Sequence, residues 1–73
     1  MSDGQDTYGV SNVEYDIIMT LGSLLEGIEM LEKYARDADA AGDTETATVF
    51  RTLRESNRSA VQQLRSGLTR HLK

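Results

Sequence analysis

The stretch "ARDADAAGDTETA", residues 35–47, contains the signals that end one helix and begin another. Glycine readily adopts the left-handed conformation found just after helices, so Gly42 predicts a helix C-terminus. Asp43 follows as a typical N-cap, whose carboxylate accepts hydrogen bonds from the first amides of the next helix. The chain has no proline that would interrupt a helix on either side. The stretch therefore predicts two helices joined by a turn at residues 41–43.

A second signal lies at the start of the first helix. The tetrapeptide "SNVE", residues 11–14, has the capping-box pattern. In a capping box the serine hydroxyl and the glutamate carboxylate each accept a hydrogen bond from the other residue's backbone amide. Helix 1 is therefore predicted at about residues 12–40, and helix 2 at about residues 44–72.

The domain organisation follows from these limits. Residues 1–10 are polar and acidic and predict a flexible N-terminal tail, whereas residues 11–73 predict a single helical-hairpin domain. A chain of 73 residues is near the size at which one hydrophobic core gives only marginal stability. The chain has no cysteine, so disulfides and thiolate metal sites are excluded. Packing or oligomerisation must therefore supply the stability.

Apolar residues recur at alternating spacings of three and four, which places them on one stripe of each helix. Asn57 interrupts the stripe of helix 2 near its middle. The predicted positions of core and dimer packing are Ile17, Leu21, Leu24, Ile28, Leu31, Phe50, Leu53, Asn57, Val61, Leu64 and Leu68.

Two long helices joined by so short a turn must lie antiparallel. Each apolar face spans roughly 160° of its helix, which is wider than the seam of a lone hairpin requires. A second copy would cover the surplus. The predicted fold is therefore all-α, an antiparallel two-helix hairpin that dimerises into a four-helix bundle.

Charge is distributed unevenly between the two halves of the chain. Residues 1–43 carry ten acidic and two basic side chains (−8), and residues 44–73 carry six basic and two acidic ones (+4). Opposite charges on two neighbouring helices favour ion pairs between them. The residues predicted to form these interhelix pairs are Glu29 and Glu32 on helix 1 and Arg51, Arg54 and Arg58 on helix 2.

Composition also narrows the class of function. The net charge of −4 disfavours nucleic acid as a partner, because nucleic-acid binders present a positive surface. Neither a basic, apolar leader nor a run long enough to span a membrane is present. We therefore expect a cytoplasmic protein with no nucleic-acid or membrane partner.

From Leu21 to Leu64 the sequence resembles one hairpin of the ferritin-like superfamily, the rubrerythrin and bacterioferritin kind of fold. The resemblance rests on an aliphatic first helix with Tyr34 near its end, the turn "AGD", Phe50 and the polar run "RESNRSA". The chain also resembles short bacterial single-hairpin proteins of unassigned role. The superfamily implies a helical bundle around a site for two metal ions, with one Glu from the first helix and a Glu-x-x-His from the second.

The residues at the corresponding positions do not fit such a site. Counting outward from the turn, the resemblance places the three ligands at Leu24, Asn57 and Ala60, and none of these binds a metal through a carboxylate or imidazole. An alternative frame would use Glu55, but the residue three positions later is Arg58, a cation. The sequence therefore predicts a ferritin-like hairpin without metal ligands, and no cofactor.

Two functions remain open from the sequence. The favoured one is a non-enzymatic homodimeric module with a structural or protein-interaction role, which also presents a surface to an unidentified protein partner. The alternative is a ferritin-like protein that binds a metal or small ligand at a noncanonical or intersubunit site. Asn57 bears on both, because a polar residue in an apolar stripe either fixes register and oligomeric state or binds a polar ligand.

Overall fold

The computed structural model describes residues 9–72, which form two α-helices packed against each other. Helix α1 spans Asn12–Ala40 and helix α2 spans Thr44–His71. The all-α hairpin expected from the sequence is confirmed. Of the predicted N-terminal tail, only Gly9 and Val10 lie within the described residues, and Lys73 lies outside them.

Helix α1 begins with the capping box. The backbone N–H of Glu14 donates to the Ser11 hydroxyl at 3.2 Å, and the backbone N–H of Ser11 donates to the Glu14 carboxylate at 3.3 Å. Two amide groups that the helix itself leaves unpaired are satisfied in this way. The start of α1 is thus fixed by local chemistry and does not depend on packing.

The turn is a Schellman motif. Gly42 has φ of 77°, in the left-handed region that glycine tolerates best. The N–H of Asp43 donates to the Ala38 carbonyl at 2.9 Å, and the N–H of Gly42 donates to the Asp39 carbonyl at 2.9 Å. These two bonds satisfy the last carbonyl groups of α1 and reverse the chain within three residues.

Helix α2 begins immediately after this turn, at an aspartate cap. The Asp43 carboxylate accepts the backbone N–H of Thr46 at 3.0 Å and the Thr46 hydroxyl at 2.6 Å. These hydrogen bonds hold the pKa of Asp43 below its ordinary value. The bond from the Thr46 hydroxyl has the larger effect, and the bond from the Thr46 backbone N–H has the smaller one. The cap is therefore strongest when the carboxylate is charged.

The seam between the helices follows a seven-residue repeat, written a to g, with positions a and d facing the other helix. In α1 the a and d positions are Glu14, Ile17, Leu21, Leu24, Ile28, Leu31, Ala35 and Ala38, and in α2 they are Ala47, Phe50, Arg54, Asn57, Val61, Leu64, Leu68 and His71. The hydrophobic residues buried in this seam are Ile17, Ala35, Ala47 and Val61. Except for the exposed Leu53, the predicted packing residues lie in this seam.

Packing is tightest near the turn. Ala35 and Ala47 are almost inaccessible to solvent, because small side chains let the two helices approach closely. Beside them the rings of Tyr34 and Phe50 pack in a tilted arrangement, with centroids 5.7 Å apart and an interplanar angle of 54°. The turn end of the hairpin is thus fixed by both hydrogen bonds and side-chain contacts.

The hairpin as a whole has very little interior. Among residues 9–72 no large side chain is fully buried. The radius of gyration is 16.3 Å, against about 11 Å for a compact chain of this length. The large apolar side chains that remain exposed are Val13, Tyr15, Ile18, Met19, Leu25, Met30, Tyr34, Val49, Leu53 and Leu72. The hairpin is a rod with much of its apolar surface in contact with solvent.

Candidate interaction surface

The two long edges of the hairpin differ in chemistry. Positions e of both helices lie along one edge and positions g along the other, because the helices are antiparallel. We call the first the charged edge; its residues are Ile18, Leu25, Glu32, Asp39, Arg51, Arg58, Arg65 and Leu72. We call the second the uncharged edge; its residues are Val13, Thr20, Gly27, Tyr34, Thr46, Leu53, Ala60 and Gly67.

The interhelix ion pairs lie on the charged edge. The Glu32 carboxylate lies 3.6 Å from the Arg58 guanidinium and 3.9 Å from that of Arg54. Glu55 extends the network within α2, at 3.2 Å from Arg54 and 3.6 Å from Arg58. Arg51 pairs with Asp39 nearer the turn. These partly exposed pairs fix the relative orientation of the helices and contribute little to stability.

The predicted pair of Glu29 is not formed. Glu29 is exposed, and no ion pair reaches it from any residue between 9 and 72. It occupies position b, one step further around the helix than Glu32, so its carboxylate lies away from the arginines. Asp39, which the sequence reasoning missed, takes its place. The sequence does contain a signal for Asp39. It lies seven residues after Glu32, just as Arg58 lies seven residues after Arg51, so the two acids and the two arginines occupy equivalent positions of the repeat.

A shallow groove of about 490 Å³ runs along the charged edge. The side chains of Leu25, Ile28 and Val61 form its apolar floor, and Glu55 and Arg58 lie at its lip. Because Glu55 and Arg58 already pair with each other, the groove offers no unpaired charge to a ligand.

The uncharged edge exposes apolar and small side chains. None of its eight residues is ionisable apart from the Tyr34 phenol. Leu53 is 47% exposed and Tyr34 is 39% exposed. Next to them along the outer side of the same edge lie Met30, Val49 and Ser56, all exposed. The Arg70 guanidinium lies close to Gly67, at the end of this edge remote from the turn. Over the rest of the edge another helix can pack with little desolvation of charge.

Asn57 and Gly27 meet between the helices on this side. The Asn57 side-chain amide is 3.5 Å from the carbonyl oxygen of Leu24, a long hydrogen bond. A Cβ at position 27 would lie 2.7 Å from the same amide nitrogen, so any larger residue there would displace the Asn57 side chain. The structure therefore gives Asn57 a partner within its own chain and explains why α1 has a glycine there.

The positions that a ferritin-like site would use carry no metal-binding side chains. Leu24 and Ala60 are apolar, and Asn57 contacts backbone. Within residues 9–72 no group of three or more His, Asp or Glu side chains converges in a way that would hold a metal ion. Within the same residues, neither helix has the length and hydropathy that crossing a membrane requires.

Comparison of the chain with protein-family models, with curated proteins and with solved structures gives no match. The resemblance to the ferritin-like superfamily thus gains no support from these comparisons. The structure confirms only that the chain forms a two-helix hairpin.

Proposed function

We propose that this protein is a non-enzymatic, cytoplasmic interaction module that works as a homodimer, in which two hairpins close a four-helix bundle. The observation that supports this most strongly is the exposure of large apolar side chains on a hairpin that fully buries none of them within residues 9–72. Contiguous exposed apolar surface on a small protein is typical of a protein–protein contact.

The energetics of a small rod favour the same conclusion. Each large apolar side chain that passes from water into an interior stabilises the folded state by about 1.5–3 kcal/mol. The single hairpin gains little of this, because its buried residues are mostly small. A second copy would bury part of this exposed apolar surface without any new sequence, and two-fold dimers are the commonest oligomers.

The chemistry of the surface supports a module without catalysis. The carboxylates on the charged edge pair with arginines, and the positions of a ferritin-like site hold Leu24, Asn57 and Ala60. We infer from this that the resemblance to ferritin-like hairpins concerns shape and not metal chemistry. Arg51, Arg54 and Arg58 each pair with a carboxylate, which disfavours binding of nucleic-acid phosphates.

The experiment that tests this function measures molar mass and helicity together over a dilution series. Light scattering after size exclusion should give about twice the 8.1 kDa mass of the chain. Helicity followed by far-ultraviolet circular dichroism should fall as dilution dissociates the dimer, because the stability of an obligate dimer depends on its concentration.

Three results would contradict the proposal. A monomer that stays fully helical at every concentration would show that the hairpin needs no partner. A monomer that is only partly helical would indicate that a different protein completes the bundle. Iron or manganese that co-purifies at one or two ions per dimer and survives dialysis would instead favour the metal-binding alternative.

A further inference from the structure

We infer that the uncharged edge is the self-association surface, and that the two copies pack on it with their turns at opposite ends. This inference rests on the proposed function, since it assigns the surface and the orientation of the homodimer proposed above. It is carried by three observations: the location of the ion pairs, the size of the edge, and the order of large and small side chains along it.

The first observation is the chemical difference between the edges. A second copy that covered the charged edge would remove Glu32, Arg54 and Arg58 from water, and desolvation of such groups opposes association. In a two-fold dimer each surface also meets itself, so charges near the axis meet like charges. The uncharged edge avoids most of both costs. Its eight positions carry no charged side chain, and the Arg70 guanidinium beside Gly67 lies at the end remote from the turn, away from the axis.

The second observation is the area that this edge offers. A helix of 29 residues is about 43 Å long, and the hairpin is about 19 Å wide. One such face, taken over the full width of the hairpin and so including the residues that flank the uncharged edge, presents roughly 800 Å² per copy, which is the size typical of a stable protein–protein interface.

The third observation is the order of side-chain sizes. Tyr34 on α1 and Leu53 on α2 are large and lie toward the turn. Gly27 and Ala60 are small and lie one seven-residue repeat further from the turn, a distance of about 10 Å. Each helix thus carries a large side chain followed by a small one, and the two large side chains lie side by side, as do the two small ones. Part of the space beside Gly27 is taken by the Asn57 amide.

This order selects one of the two possible orientations. If the turns lie at opposite ends, each helix faces its own copy in reverse, and Tyr34 meets Gly27 while Leu53 meets Ala60. The midpoint between Tyr34 and Gly27 on α1 lies at the same level along the hairpin as the midpoint between Leu53 and Ala60 on α2, beside Ser56. A single two-fold axis through this level therefore produces both contacts. If the turns lie at the same end, Tyr34 meets Leu53 and Gly27 meets Ala60, which leaves an overlap and a gap.

The orientation places residues at the axis that can be tested directly. Asn57 of one copy lies near Asn57 of the other, where a polar pair fixes the register of a helical bundle. Ser56 lies beside it on the exposed side, so its side chain approaches its own copy. Ser59 is the matched control, because it is exposed on the same helix but lines the groove of the charged edge.

The first test uses single-cysteine variants, which are clean because the chain has no cysteine. Under mild oxidation Ser56→Cys should form a disulfide-linked dimer, and Ser59→Cys should stay monomeric on a non-reducing gel. Equal cross-linking of the two variants would overturn the assignment of the surface. A cross-link between separate Met30→Cys and Ser56→Cys copies, with none between two Ser56→Cys copies, would overturn the orientation.

The second test compares a charge placed on each edge. Leu53 and Leu25 are leucines of similar exposure, 47% and 54%, on opposite edges. Leu53→Glu should raise the dissociation constant of the dimer at least about thirtyfold, because a carboxylate would be buried at the contact. Leu25→Glu should leave the dissociation constant of the dimer within about threefold of that of the unmodified protein. Leu53→Met, which keeps an apolar side chain at this position, should retain most of the affinity that Leu53→Glu loses.

The outcomes separate this inference from the proposed function. Dissociation by Leu25→Glu alone, or equal dissociation by both variants, would overturn the uncharged edge as the interface while the dimer itself stood. An unmodified chain that is monomeric at all concentrations would overturn the proposed function as well.

Discussion

The two edges of the hairpin flank the same seam and repeat with the same period, yet they differ in chemistry. Along the charged edge, acidic residues of α1 face arginines of α2, and water reaches both. Along the uncharged edge, small or polar residues (two glycines, one alanine and two threonines) lie among one valine, one tyrosine and one leucine. The ion pairs orient the helices within one chain, whereas the uncharged edge offers shape for contact with another surface.

The difference shows how a very small fold divides its surface. A chain of this length has few side chains to spare, so the same two helices must hold themselves together and also present an interface. Within residues 9–72 the interhelix ion pairs lie on one edge, which leaves fewer charges to desolvate on the other. Four measurements would break or sharpen this comparison.

The largest effect is expected in the seam beneath both edges. Ile17→Ala should lower the free energy of unfolding by about 2–4 kcal/mol, since it truncates a buried side chain of the seam. The Ile17 Cδ1 lies 3.6 Å from the place that a Cβ on Gly67 of the facing helix would take. Ile18→Ala, at the next position on the charged edge, should cost less than about 1 kcal/mol because that side chain is exposed. Urea titrations at equal protein concentration measure both. If both variants lost the same free energy of unfolding, Ile18 would have to be buried as well, which would mean that another surface covers the charged edge.

A smaller effect is expected at the two glycines inside α1. Gly22→Ala should stabilise the protein by about 1 kcal/mol, because alanine favours a helix and no atom outside its own turn lies within 4 Å of the new Cβ. Gly27→Ala should gain less, because its Cβ would meet the Asn57 amide at 2.7 Å.

A double-mutant cycle isolates that contact. In the presence of Asn57→Ala, the Gly27→Ala change should recover the full gain seen at Gly22. If Gly27→Ala and Gly22→Ala stabilise the protein equally in the unmodified background, the close approach of Gly27 and Asn57 is not a constraint on α1.

The charged edge should show a weaker effect that depends on salt. Glu32→Gln should reduce the free energy of unfolding by about 0.2–1 kcal/mol at low ionic strength, because it removes the partner shared by Arg54 and Arg58. The difference should shrink at high salt, where exposed charges are screened. Glu29→Gln is the matched control and should have no such salt dependence. An equal response of both variants would contradict the ion-pair assignment.

The smallest effect is expected at the cap of α2, where the carboxylate is fully exposed. Because the Thr46 hydrogen bonds lower the pKa of Asp43, its stabilising contribution is present at neutral pH and is lost as the pH falls through the folded-state pKa. Asp43→Asn retains a capping oxygen but does not titrate. The difference in melting temperature between the unmodified protein and this variant should therefore narrow in acid, and a constant difference would contradict the cap's role.

Local chemistry accounts for the parts of this fold that were predictable from sequence. The Ser11–Glu14 capping box, the left-handed Gly42 and the Asp43 cap each involve residues within five positions of one another, so the pattern specifies the geometry. The apolar repeat then predicts which sides of the helices meet. An antiparallel hairpin follows from these signals alone.

The details of the surface were less predictable, because they depend on how each helix is rotated about its axis. Glu29 and Glu32 look equivalent in the sequence, yet only Glu32 lies next to the arginines. Leu53 belongs to the apolar pattern, but it lies one position outside the seam and is exposed. The meeting of Gly27 with Asn57 joins residues 30 positions apart, and no local signal marks it.

The Schellman turn also bears on how the chain folds. Residues near Gly42 are close in sequence to their partners across the hairpin, so closing this end costs the least chain entropy. Ala35 and Ala47, which are almost inaccessible to solvent, lie near this turn. We expect folding to start at the turn and proceed toward residues 12 and 71, with amide hydrogen exchange slowest beside Ala35 and fastest at the far ends.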